Sequence, residues 1–168
     1  MLHAKATYVA ETPFESQRIG AAAVYCSDGR FGEQMDEFLH RSLGLPRYDR
    51  IAIPGGAGCL ADCTHAFAEN VALERQLRFL IEGHELRKIV LIAHHQCAFY
   101  NHVWLGSQSR KERQAADLAR AADKLRMWYA HLEVDAYFAD HCDNRVSFED
   151  WNRSSELRTA LAGAVLAR

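Results

Sequence analysis

The chain has 168 residues, 49% of them hydrophobic and 25% charged, with a formal net charge of −2. That length and apolar share suit one domain with its own core, read here as residues 1–168. The near-neutral balance excludes the basic footprint of a nucleic-acid or anionic-membrane binder.

An apolar run over Ile19–Tyr25 predicts the first strand. Gly32–Leu43 groups Met35, Phe38 and Leu39 on one helical face and is stopped by Gly44 and Pro46. Arg50–Ile53 is a second strand, and Glu69–Ile81 spaces Val71, Leu73, Leu77 and Leu80 as a helix ending at Gly83. Lys88–Ala93 is a third strand, continuously apolar as parallel strands buried on both faces are. Ser109-Arg110-Lys111-Glu112 is a capping box, opening a long helix with a stripe of Leu118, Ala121, Leu125, Trp128 and Leu132. Val134–Ala139 is a fourth strand. Asp143-Asn144 is a turn before Val146–Phe148, an antiparallel edge strand, and Glu156–Leu166 is a terminal helix. The alternation predicts an α/β domain: a mostly parallel four-stranded sheet, order 2-1-3-4, plus an antiparallel edge strand, flanked by helices.

Two of these strands end in chemistry. Cys26-Ser27-Asp28-Gly29-Arg30 follows the first, and His94-His95-Gln96-Cys97 follows the third. Thiolate, imidazole and thiolate supply three corners of a tetrahedral zinc site, and three protein ligands with an open corner is the catalytic arrangement. In an open α/β sheet the site forms at strand carboxyl ends where the strand order reverses. With an order beginning 2-1-3, Cys26 and His94 stand at that point. Cys97 is expected one helical turn past His94, on the same face. Asp28 and Arg30 add an acid–base or ion-pair element; as simpler roles, Asp28 caps the next helix and Arg30 is a surface cation.

The pattern resembles the β-class carbonic anhydrases, whose signature is Cys-x-Asp-x-Arg after the first strand and His-x-x-Cys after a later one. Cys26, Asp28, Arg30, His94 and Cys97 match it, in the family's order, within a likeness spanning about Ile19 to Phe148. The resemblance implies a zinc enzyme that hydrates carbon dioxide to bicarbonate through zinc-bound hydroxide. Zinc would be held by Cys26, His94 and Cys97, with Asp28 and Arg30 catalytic: Asp28 orienting the hydroxide or resting on the zinc, Arg30 pairing with Asp28. It also implies a homodimer or higher homo-oligomer, in which an N-terminal segment embraces the partner. Trp104, Trp128 and Trp151 serve a core or an interface.

The chain departs from the family at Pro54-Gly55-Gly56-Ala57-Gly58, where the family carries Arg-Asn-Ala-Gly-Asn, and at Ala98, where it carries glycine. Leu60–Ala68 reads as an insertion. These changes keep two alternatives open: hydrolysis of carbonyl sulfide or carbon disulfide on the same zinc, or a non-enzymatic zinc-binding relative. Pro54–Gly58 is either an anion cradle or a tight strand-to-helix turn. His95 is a solvated or core-satisfied histidine, or a second-shell or proton-shuttling one. Cys59, Cys63 and His65 lack a fourth ligand for a second metal, and Cys142 near a turn carries no evident role.

Five cysteines, odd in number and unevenly spaced, argue against a disulfide framework. No run is long enough to span a membrane, and Met1–Thr12 lacks a signal-peptide core. The expected setting is the reducing cytoplasm, where the Asn152-Arg153-Ser154 sequon is silent.

Overall fold

Five strands form one sheet in the order β2-β1-β3-β4-β5. The structure is a computed structural model, which describes residues 7–61, 66–102 and 109–152. The strands are β1 (Ala21–Cys26), β2 (Asp49–Ile53), β3 (Lys88–His94), β4 (Glu133–Cys142) and β5 (Arg145–Asp150). All pairings are parallel except β4–β5. This is the predicted sheet, order and edge strand included. The β4–β5 turn falls at Asp143 and Asn144, whose φ values of 47° and 64° suit a tight hairpin.

Side-chain alternation along β1 divides the core. Ala22 and Val24 face one way, against Leu73, Leu77 and Ile81 of α2 (Phe67–Gly83) and Leu118, Ala121 and Leu125 of α3 (Arg110–Trp128). Ala21, Ala23 and Tyr25 face the other, against Phe31, Met35 and Leu39. Every β1 residue is buried, as a strand sandwiched between helices requires.

The helices depart from expectation in detail. The single helix predicted over Gly32–Leu43 is α1 (Gly32–Glu37) followed by one widened π turn, Phe38–Ser42. There Leu43 N–H donates to Phe38 C=O, and Phe38 stacks on Phe148 at 4.0 Å. Val71 and Trp128 are half exposed and leave their predicted stripes. The Ser109–Glu112 capping box is present in both directions. The predicted helix Glu156–Leu166, Trp104, and Cys63 and His65 lie outside the described residues.

Candidate metal centre

β1 and β3 are parallel neighbours, and β2 leaves β1 on its other side, so the reversal of strand order lies between their carboxyl ends. Cys26 closes β1 and His94 closes β3. Cys97 joins them by a different route from the one expected. Residues 95–96 form a turn in which Gln96 adopts φ 51°, and a short 3-10 helix, Ala98–His102, begins only after Cys97. A helix spacing does not bring His94 and Cys97 together. The left-handed residue between them folds the chain back on the strand end.

The ligand atoms of Cys26, His94 and Cys97 lie within 4.8 Å of one another, and all three residues are buried. The two sulfurs are 3.7 Å apart. Two thiolates on one tetrahedral zinc, with bonds of about 2.3 Å, stand about 3.8 Å apart, so the spacing fits an ion between them. His94 Nδ1 lies 2.9 Å from the backbone oxygen of His95. A carbonyl only accepts, so Nδ1 carries the proton and Nε2 presents a lone pair. That Nε2 is buried with no hydrogen-bond partner, an orphaned lone pair that fits a metal ligand. Phe31 packs on the same ring, 4.5 Å between centroids.

The sulfurs are poised as a pair. Cys26 is held well below an ordinary thiol, chiefly by the S–H of Cys97, against the opposing effect of burial. The amides of Gly55 and Asp28 add to the lowering. Cys97 is pushed up by its bond to Cys26 and by burial. Two touching sulfurs thus share one negative charge and one proton, a pair that suits a divalent cation.

Asp28 and Arg30 are one unit. Arg30 Nε reaches Asp28 Oδ1 at 2.9 Å, Nη2 reaches Oδ2 at 2.6 Å, and the Arg30 amide donates to Oδ1 at 3.1 Å. The guanidinium beside it holds the Asp28 carboxyl down at about 2. Asp28 does not cap α1, whose N-cap position is Phe31 without a side-chain cap bond. A cavity of about 160 Å³ opens beside this pair, lined by Arg30, Phe31, His95, Gln96, His141 and Val146. His95 Nδ1 is 2.9 Å from Asp140, which Lys111 also holds, so the ring is tied into a charged network.

Pro54–Gly58 is a turn into the 3-10 helix Gly56–Leu60, packed beneath the sulfurs. A Cβ on Gly56 would lie 2.5 Å from the Cys26 nitrogen, so only glycine lets this loop touch the end of β1. The Gly55 amide is directed at both sulfurs and that of Phe99 at Cys97. The Gly55 amide lies in the run read as an anion cradle or a tight turn, whereas the Phe99 amide escaped sequence reasoning. Cys59 is fully buried and donates its S–H to the Pro54 carbonyl, and Cys142 is exposed. Among the described residues, Cys26, His94 and Cys97 form the one group able to hold a metal.

Residues 16–149 match the family model described as "Putative carbonic anhydrase". The chain belongs to that carbonic anhydrase family. Among solved structures, β-carbonic anhydrase isoform I of Trichomonas vaginalis matches with a TM-score of 0.50 and 13% identity, over 86% of this chain and 87% of that one. A tetrameric β-carbonic anhydrase of Sordaria macrospora matches with a TM-score of 0.51 and 15% identity, over 79% and 81%. At these identities the likeness establishes the fold. No curated protein sequence gives a significant match. The carbonic anhydrase fold accounts for the sheet order and for the meeting of two strand ends at the site. No helix among the described residues is long and apolar enough to cross a membrane.

Proposed function

We propose that this chain is a zinc-dependent carbonate dehydratase, converting carbon dioxide and water to bicarbonate and a proton. One observation carries the reading: two thiols and an unpartnered imidazole nitrogen converge at the strand-order reversal of a carbonic anhydrase fold. A zinc ion bound there would supply Lewis acidity, making a water acidic enough to yield the attacking oxygen near neutral pH.

The chain's own residues prepare the rest. The one proton that Cys26 and Cys97 share would leave on loading, and the amides of Gly55, Asp28 and Phe99 would solvate the resulting negative charge. His94 ligates through Nε2 because His95 holds its other nitrogen. Asp28, kept anionic by Arg30, accepts a hydrogen bond from the attacking oxygen and fixes its direction. The proton released leaves to solvent and buffer.

The deciding experiment is stopped-flow hydration on protein of measured zinc content. The rate is expected to scale with zinc per chain. No hydration above buffer background at one zinc per chain would overturn the reading.

The assembly is proposed to be a homodimer. Tyr8, Val9 and Phe14 are 79%, 76% and 93% exposed in a segment before β1, apolar surface of the kind a second copy covers. Sedimentation should give a dimer at micromolar concentration; a monomer would count against it. The cytoplasm is proposed as its compartment, since thiols at the metal centre must stay reduced.

A further inference from the structure

Behind the two sulfurs lies a buried polar pair with no part in the chemistry above. Asp117, on α3, is fully buried. Arg113 Nε lies 3.1 and 3.2 Å from its two oxygens, and Arg120 also contacts Oδ1. Tyr100, 2% exposed, donates its hydroxyl to Asp117 Oδ2 at 2.9 Å. A carboxylate is costly to bury even when paired, and a phenylalanine at 100 would fill the same apolar space without one. The hydroxyl therefore calls for a use.

Its surroundings supply that use. A Cβ on Gly58 would come 2.1 Å from the Tyr100 hydroxyl, so the hydroxyl is wedged between Gly58 and Asp117. A Cβ on Gly55 would meet the Phe99 ring at 2.7 Å, so Phe99 sits directly on Gly55. Tyr100 N–H donates to the Cys97 carbonyl at 3.1 Å. The glycine turn and the Ala98–His102 turn are thus locked face to face, and they carry the Gly55 and Phe99 amides that reach the sulfurs. α3, through Asp117, grips this unit with a directional polar contact at Tyr100.

We infer that Tyr100 and Asp117 form a positioning pair for the metal centre: a strut from α3 that sets where two amide donors meet the sulfurs of Cys26 and Cys97. The inference rests on reading Cys26, His94 and Cys97 as the ligands. Amide bonds to a ligand sulfur draw off its electron density, so the strut adjusts how tightly and with what electronic character the thiolates hold a metal.

Cobalt(II) tests it, because sulfur-to-cobalt charge transfer reports on the thiolates without any turnover. Wild type and Tyr100→Phe are loaded with cobalt, their spectra recorded, and release to a chelator timed. The thermal midpoints of the metal-free proteins are compared alongside. Tyr100→Phe is expected to bind one cobalt per chain with a shifted charge-transfer band and release about tenfold faster. Gly58→Ala, which disturbs the same hydroxyl from the opposite side, should shift the band likewise. Superimposable spectra with equal release rates would overturn the strut while leaving the ligand set standing. So would a fall in the metal-free midpoint alone. Wild type that binds no cobalt would overturn both, and is thereby distinguished.

Discussion

His94 gives its Nδ1 proton to the backbone oxygen of its own neighbour His95, 2.9 Å away. That contact leaves Nε2 as a bare lone pair in a buried place, beside two sulfurs that already share a proton. Together these three donors form a group able to hold a metal ion.

Replacing any of the three donors should therefore empty it. Cys26→Ser, His94→Ala and Cys97→Ser are each expected to lose most of the bound zinc, since three ligands leave no spare protein donor. Elemental analysis after dialysis is the check; about one zinc per chain in a variant would remove that residue from the ligand set.

Asp28→Asn should keep its zinc and lose most hydration activity, because the amide can present a donor where an acceptor is needed. Arg30→Ala should impair activity less directly, by freeing a carboxylate now held at two oxygens. Zinc content and stopped-flow rates on the same samples separate the effects. Full activity in Asp28→Asn would cancel the role given to it.

Gly56→Ala is expected to cost roughly 2–4 kcal/mol, combining overpacking with a left-handed backbone. The new methyl would meet the Cys26 nitrogen at 2.5 Å and the Tyr25 carbonyl carbon at 2.6 Å, at a φ of 53°. Gly29→Ala, with nothing within 4 Å, should change stability by under about 0.5 kcal/mol. Urea unfolding of the metal-free proteins compares the two.

Asp36 gives a pH test away from the metal. Burial opposes its ionisation, yet the Tyr48 hydroxyl and the Arg50 guanidinium outweigh that and hold its carboxyl below the usual range. A lowered folded value means the unfolded chain protonates first as pH falls. The stabilisation is thus present above the ordinary Asp range and is lost on acidification through the folded value. Asp36→Asn should cost on the order of 1–2 kcal/mol near pH 7 and progressively less below about pH 4. Urea midpoints at both pH values measure the gap; a gap that widens in acid would refute the assignment.

The sheet could be read from sequence because its strands are short apolar runs whose parallel pairing demands burial on both faces, as in Ala21–Cys26. The metal-binding candidates could be picked out because Cys26 and His94 sit at those strand ends. What stayed hidden depends on backbone detail. The left-handed Gln96 and the π turn at Phe38–Ser42 follow no residue signal. Val71 and Trp128 carry helical spacing but fall at the edges of their apolar stripes, where a small rotation decides burial. Phe99 reaches Cys97 through its amide, which every residue has, and Tyr100 meets Asp117 only once α3 is packed.

The two sulfurs belong to residues 71 apart in the chain. An ion shared between them is a reversible cross-link closing a long loop, and a cross-link of that span narrows the unfolded ensemble more than a short one does. Loading would also demand that β1 and β3 be paired, so metal uptake would report on the completed centre of the sheet. A chelator should therefore change how the protein unfolds as well as what it binds.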